Sequence, residues 1–173
     1  MRPVVIGVLF RRNRMGFVDI LTQRRIVKNK SYDPLYDGTW EAMGETVEEG
    51  ESVIDALIRG VAEECGVPGF KPVQINGGGL VWSTDKNDRI LASTPLCFVQ
   101  SLGPPQPWLG PAFLVEVGGD FEPNQENNDG EAGAHRWWNP PDLEEAASKK
   151  PGSFMGLHLP ALVAAARRLN PER

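Results

Sequence analysis

Residues able to form covalent or metal cross-links are scarce in this chain. Among 173 residues there are two cysteines, Cys65 and Cys97, and two histidines, which are too few for a disulfide framework or a zinc site of the His/Cys type. No apolar run approaches the roughly 18 residues of a membrane span, and the N-terminal stretch has no small-residue cleavage site. We therefore expect a protein of a reducing compartment, cytoplasmic, without a membrane partner.

Charge is distributed unevenly along the chain. The formal net charge is −5, yet residues 1–30 carry eight Arg and Lys against a single Asp, so the remainder is strongly acidic. Overall acidity argues against a nucleic-acid partner. A basic edge facing an acidic cluster suits an anionic ligand bridged by metal cations, although solvated faces of opposite sign account for the composition equally well.

The pattern of apolar residues predicts one domain over residues 1–173 that combines a mixed sheet with a central and a terminal helix, an α/β or α+β class. Ser52 and Asp55 resemble a capping box at the start of the central helix, and Gly66 ends it. The predicted helices lie at 52–65 and 157–169. Pro140 and Pro141 end the last predicted strand. The predicted strands lie at 4–10, 17–22, 39–43, 135–138, and near 71–83, 89–101 and 111–118.

The central helix combines an apolar stripe with charged residues near its end. At 100° per residue Glu64 falls on the same face as Leu57 and Val61, whereas Glu63 falls beside Arg59. A carboxylate on the buried side must be paired with a cation or a metal. Carboxylate oxygens suit magnesium or manganese held together with substrate phosphates.

Residues 45–67 of this stretch, within WEAMGETVEEGESVIDALIRGVAEECGV, resemble the box of the Nudix hydrolases, G-x5-E-x7-R-E-U-x-E-E-x-G-U, where U is a bulky aliphatic residue. The segments DILTQRR and HRWWNPPDL also resemble the family, so the likeness extends from about residue 4 to residue 169. It implies the Nudix α/β/α sandwich with a mixed central sheet. The matching box positions are Glu51, Arg59, Val61, Glu63, Glu64, Gly66 and Val67.

Two positions depart from the box. Glu45 stands where the box begins with glycine, and Gly60 stands where a glutamate follows the box arginine. In the family that glutamate is usually a metal ligand, one helical turn before the position of Glu64. Glycine inside a helix costs about 1 kcal/mol relative to alanine, so helix stability does not explain Gly60.

The resemblance implies hydrolysis of a pyrophosphate linkage in a nucleoside diphosphate derivative, by water that Mg²⁺ activates, with Mn²⁺ as an alternative metal. Nucleoside triphosphates, dinucleoside polyphosphates, nucleotide sugars and coenzyme-type diphosphates all remain open as substrates. Carried over position by position, the resemblance implies that Glu63, Glu64 and the carbonyl of Gly44 are metal ligands and that Arg59 orients the glutamates. A late loop supplies a further ligand or base, for which Glu131 is the candidate and Glu126 the less favoured one. Glu45 is a candidate compensating ligand.

Substrate contacts are expected from Arg24, Arg25 and Trp82. Alternation along a strand places the two arginines on opposite faces, so one of them should be a solvated residue rather than a phosphate ligand. Trp82 is a candidate platform for a base or ring, and Glu131 is equally well explained as a plain loop acid.

Gly60 also supports a second function, a Nudix-fold ligand-binding or regulatory domain in which hydrolysis is impaired. A third, an isomerase-like member of the family, is disfavoured because the expected Cys and His elements are lacking. The resemblance slightly favours a homodimer.

Overall fold

The computed structural model describes residues 2–28, 36–83, 89–102, 107–127 and 130–170. Within these ranges the chain forms ten strands and three α-helices. They are β1 (Arg2–Arg12), β2 (Val18–Arg25), β3 (Trp40–Glu41), β4 (Met43–Thr46), α1 (Val53–Glu64), β5 (Gln74–Asn76), β6 (Leu80–Ser83), β7 (Arg89–Ala92), β8 (Cys97–Gln100), β9 (Trp108–Val117), β10 (Ala132–Trp138), α2 (Pro140–Lys149) and α3 (Leu159–Leu169).

Strand β1 is the centre of a mixed sheet with the order β10-β2-β1-β9-β5. It runs parallel to β9, and its other described partners are antiparallel. Its other edge changes partner along its length, because Phe10 to Arg12 pair with β2 while Val4 to Gly7 pair with β4. Strand β2 leaves β1 at this point, and its residues Gln23 and Arg24 pair with β3. Strands β6 and β7 form a separate hairpin.

Helices cover both faces of the sheet, because β1 alternates apolar side chains toward each. Val5 and Leu9 join the core under α1, which includes Leu57 and Val61. The next residues along β1 face the opposite core, under α2 and α3; this core includes Ile6, Val8, Phe10, Leu143 and Leu162. The observed architecture is the predicted α/β/α sandwich with a mixed central sheet.

Helix α1 confirms the strongest local prediction. The hydroxyl of Ser52 accepts a hydrogen bond from the backbone N–H of Asp55 at 3.1 Å, which satisfies one of the free N–H groups at the helix start. Gly66 follows with φ near 62°, a left-handed conformation that favours glycine after a helix. Helix α3 confirms the predicted closing helix.

The structure corrects several of the predicted boundaries. Pro140 does not merely end β10: it begins α2, because Asn139 caps that helix through the N–H of Asp142 at 2.8 Å and proline suits a first helical turn. The predicted strands near 71–83 and 89–101 each divide into two. Gly77 and Gly79, both at positive φ, separate β5 from β6, and the segment containing Pro95 separates β7 from β8. Strand β9 begins at Trp108 rather than 111.

In the ranges that the structure describes, no helix is both long enough and apolar enough to cross a membrane.

Candidate functional site

Glu64 lies where α1, β2 and β4 meet. Its side chain is on the buried face of α1, as predicted, and only 8% of the residue is exposed. One carboxylate oxygen, Oε2, accepts hydrogen bonds from the side-chain amide of Gln23 at 3.0 Å and from the backbone N–H of Gly44 at 3.3 Å. These two donors compensate the burial of a charged group and fix its direction.

A second buried carboxylate, Glu41, shares the amide nitrogen of Gln23 with Glu64. The Gln23 amide donates to Glu41 Oε1 at 3.3 Å, and Arg25 forms an ion pair with Oε2 at 3.3 Å. Burial raises the pKa of Glu41 to about 7, against the opposing effects of Arg25 and Gln23. The amide oxygen of Gln23 is buried and has no hydrogen-bond partner in the described part of the chain.

Sequence reasoning missed Gln23 and Glu41. Gln23 and Arg25 continue the face of β2 that begins with the buried Leu21, so polar residues on a core-facing strand face were the available signal. Glu41 gave no such signal, because it lies in a two-residue strand next to a loop. Its burial depends on pairing with β2, where Glu41 opposes Gln23.

Arg59 gathers the acidic loop around the start of the helix. Its guanidinium forms two hydrogen bonds with the Glu51 carboxylate, at 3.0 and 2.9 Å, and a third with the carbonyl of Thr46 at 3.0 Å. These bonds lower the pKa of Glu51 and raise that of Arg59, so the pair stays charged. The predicted contact with Glu63 is present at 3.7 Å. The Glu63 carboxylate is half-exposed.

Glu45 also faces Arg59, with Oε2 3.2 Å from Nη1. Its other oxygen accepts a hydrogen bond from the backbone N–H of Thr46 at 2.6 Å. Burial raises the pKa of Glu45, against the opposing effects of Thr46 and Arg59. The Glu45 side chain lies directly over Gly60, so the two departures from the box are in contact.

Five of the predicted site residues line one cavity of about 320 Å³. Glu131 is on its rim, more than half exposed, with Lys28 Nζ at 4.0 Å. The cavity is lined by Arg25, Gly44, Glu45, Glu64, Glu131 and His158, among others.

Other predicted residues lie elsewhere. Arg24 is on the opposite face of β2 and stacks on Trp40, with the guanidinium carbon 4.1 Å from the ring centroid. Glu126 is exposed on a short 3-10 turn. Trp82 lies in β6, but its side chain is outside the described part of the structure, so its substrate role stays a prediction.

His158 is a cavity residue that the sequence did not indicate. Its Nδ1 donates to the carbonyl oxygen of Ala42 at 2.9 Å, since a carbonyl can only accept. Burial, followed by the charge of Arg25, lowers its pKa to about 4. The ring is therefore neutral at neutral pH, and its Nε2 carries a lone pair. The ring packs against Gly44, where a β-carbon would lie 2.7 Å from Cε1.

The donor set fits a divalent cation by its chemistry. Hard carboxylate oxygens are the ligands that magnesium and manganese prefer. Glu45, Glu64 and Glu131 line one cavity. Gln23 donates to Glu64 through its amide nitrogen, and its amide oxygen has no partner among the described residues. Within the described ranges, however, no three acidic, histidine or cysteine side chains converge to metal-binding distance. The carboxylates of Glu64 and Glu45 are instead held by protein donors.

Comparison with known proteins agrees with this fold. A model of the NUDIX domain matches residues 1–155. No curated protein matches the sequence. The chain resembles the NUDIX domain of Shewanella oneidensis NrtR, solved in complex with ADP ribose, at 17% identity and a TM-score of 0.64, covering 98% of this chain and 89% of that one.

Two further solved structures are similar. A NUDIX-family hydrolase from Clostridium perfringens has 15% identity and a TM-score of 0.61, with 98% of both chains covered. A C. elegans Ap4A hydrolase, solved as a binary complex, has 16% identity and a TM-score of 0.57, covering 97% of this chain and 98% of that one. At these identities the likeness concerns the fold.

Proposed function

Because the chain belongs to the Nudix family, we propose that it hydrolyses a pyrophosphate linkage in a nucleoside diphosphate derivative, with Mg²⁺ or Mn²⁺ as cofactor. The observation that carries this proposal is the placement of Glu64. Its carboxylate is buried and held by two donors, yet it lines an open cavity that also contains Arg25. In this arrangement the Glu64 carboxylate is already oriented to bind a metal ion, and the Arg25 guanidinium beside it can bind phosphate.

Each residue has a distinct part in this proposal. Glu64 and Glu45 hold the cation, with Glu63, Glu131 and the carbonyl of Gly44 as the further predicted ligands. When bound, the metal lowers the pKa of a water molecule and neutralises charge on the leaving phosphate. Arg59 fixes the acidic loop against α1, which keeps the carboxylates in place. Arg25 orients the phosphates from β2.

The cavity and two neighbours support the proposed substrate class. A basic residue opposite a group of carboxylates suits an anionic ligand bridged by a cation. The NrtR domain was solved with ADP ribose, and the C. elegans neighbour is named for Ap4A. ADP ribose and Ap4A each contain an adenosine linked through a chain of phosphates to a second group, which supports the proposed class for this chain.

The test is product release from a panel of nucleoside triphosphates, dinucleoside polyphosphates, nucleotide sugars and coenzyme-type diphosphates. Each compound is assayed with magnesium, with manganese and with a chelator. We expect cleavage of at least one class that the chelator abolishes. Glu64→Gln should lower turnover roughly 100-fold or more, whereas Glu145→Gln, an exposed control on α2, should leave it unchanged. Folded protein that cleaves nothing in the panel would contradict the proposal.

A ligand-binding domain is the second candidate. Gly60 and the lack of three converging ligands within the described residues favour it. Calorimetry with the same compounds discriminates the two functions. A binding domain should bind one compound without cleaving it, and it should keep that affinity in the Glu64→Gln variant.

A further inference from the structure

The two departures from the Nudix box face each other across the boundary between β4 and α1. A β-carbon built on Gly60 would lie 2.6 Å from Cβ of Glu45, 3.2 Å from its Cγ and 3.5 Å from its Oε2. These are its three nearest atoms outside the helix's own turns, and all belong to Glu45. The strand residue therefore closes this position of the helix to any side chain.

Rotation of the Glu45 side chain cannot relieve this collision. The nearest atom is Cβ, whose position is fixed by the backbone of β4, and β4 is paired with β1 at Val5. Gly60 is buried within a regular helix, so its backbone conformation does not demand glycine. The requirement for glycine comes from the space that Glu45 occupies.

The Glu45 carboxylate lines the same cavity as Glu64. Gly60 lies one turn before Glu64 on the same face of α1, so Glu45 brings its carboxylate from the strand to the side of the helix where the box places a second acid. An independent polar feature lies next to Glu64: the amide of Gln23, which donates to Glu64, keeps its oxygen buried without a partner among the described residues.

We propose that Glu45 and Gly60 are a reciprocal exchange, in which β4 supplies the metal-ligating carboxylate that the box places on the helix, and glycine on the helix makes room for it. The inference rests on the metal site of the proposed function, but not on hydrolysis. It predicts that the fold accommodates a carboxylate side chain at position 45 or at position 60, but not at both positions together.

Thermal unfolding tests the steric part. Alanine is the better helix former, so Gly60→Ala would raise the melting temperature if nothing opposed it. We expect it instead to lower the melting temperature by about 3 °C or more. The Glu45→Ala background keeps Cβ and should keep the penalty, whereas the Glu45→Gly background should remove it. The inference would be overturned if Gly60→Ala raised the melting temperature of the otherwise unchanged protein. It would also be overturned if Gly60→Ala lowered the melting temperature equally in the Glu45→Ala and Glu45→Gly backgrounds.

Titration with Mn²⁺ alone, followed by calorimetry, tests the ligand part. Glu45→Ala and Glu45→Gly should each weaken Mn²⁺ binding roughly tenfold or more. Glu48→Gln is the control, because Glu48 is an exposed acid that also faces Arg59, at 3.9 Å, and it should bind Mn²⁺ normally. The double variant Glu45→Gly with Gly60→Glu should regain most of the lost affinity.

Unchanged Mn²⁺ affinity in Glu45→Ala, or no recovery in a folded double variant, would overturn the inference. Neither arm uses a nucleotide. If the protein binds Mn²⁺ through Glu45 but cleaves no diphosphate, the proposed function is contradicted and the exchange stands. If the protein cleaves a diphosphate and neither cleavage nor Mn²⁺ binding depends on Glu45, the proposed function stands and the exchange is contradicted.

Discussion

Arg59 and Glu51 form a two-pronged ion pair, in which Nε donates to Oε1 at 3.0 Å and Nη2 to Oε2 at 2.9 Å. The Arg59 side chain is 28% exposed, so the pair is only partly screened by water. It joins the loop before α1 to the second turn of the helix. Its geometry depends on a planar guanidinium, which lysine cannot reproduce.

We therefore expect Arg59→Lys to lower the free energy of unfolding by about 1–2 kcal/mol, although the charge is retained. Urea unfolding measures the change. Arg167→Lys is the matched control, because Arg167 makes a single, more exposed contact with Glu144 at 2.7 Å. Its effect should stay within about 0.5 kcal/mol. Equal effects of the two substitutions would show that the two-pronged geometry contributes nothing.

Gln23 holds two buried carboxylates through one amide group. Gln23→Leu fills a similar volume but leaves Glu41 and Glu64 without that donor, so unfolding free energy should fall by about 1–3 kcal/mol. Chemical denaturation checks this loss. Gln74→Leu, at an exposed position of β5, is the control and should be nearly neutral. A neutral Gln23→Leu would mean that the carboxylates find water or other donors.

Glu41 should make stability fall as pH rises. Its pKa is about 7 in the folded protein, compared with an ordinary value of 4.5, so between these pH values the folded chain binds more protons than the unfolded chain. His158, with its pKa lowered to about 4, contributes the opposite slope between pH 4 and 6.5.

The Glu41→Gln substitution removes the titration of Glu41 and leaves that of His158. The unfolding free energy of the unchanged protein minus that of Glu41→Gln should therefore decline from about pH 4.5 to pH 7 and become flat above that range. Denaturation midpoints collected across this range provide the measurement. A difference that does not vary with pH would contradict the raised pKa.

Arg24 and Arg25 are adjacent residues on opposite faces of β2, which makes them a matched pair. Arg25 lines the cavity with Glu64, whereas Arg24 stacks on Trp40. If the proposed hydrolysis is observed, Arg25→Gln should raise KM for the diphosphate substrate by roughly tenfold, and Arg24→Gln should leave KM unchanged. Steady-state kinetics distinguishes the two. A larger effect at Arg24 would place the phosphates on the other face of the sheet.

The sequence predicted α1 well because its information is local. The apolar period places Glu64 on the buried face, and Ser52 identifies the helix start without reference to the rest of the chain. Helix α2 carries a similar local signal in Asn139 followed by Pro140. Two prolines after a strand also indicate the end of that strand, so the local pattern alone does not distinguish a strand end from a helix start.

Other features had no local signal. Gln23 reaches Glu41 and Glu64 only because β2 leaves β1 and pairs with β3, and no spacing in the chain encodes that change of partner. The sequence marks Glu45 and Gly60 as departures from the box and Glu45 as a candidate compensating ligand. That their β-carbons would collide depends on the separation between a strand and a helix, which requires coordinates.

The parallel pairing of β1 with β9 has a consequence for the growing chain. Arg2 lies opposite Trp108 and Arg11 opposite Val117, so partners in the centre of the sheet are about 100 residues apart. Such long-range pairing slows folding, because a large loop must close before these contacts form. At synthesis rates of about 5–20 residues per second, the apolar segment 4–10 waits several seconds for its neighbour. During that interval one edge of this strand is open to pairing with other nascent chains, and the arrival of residues 108–117 removes that exposure.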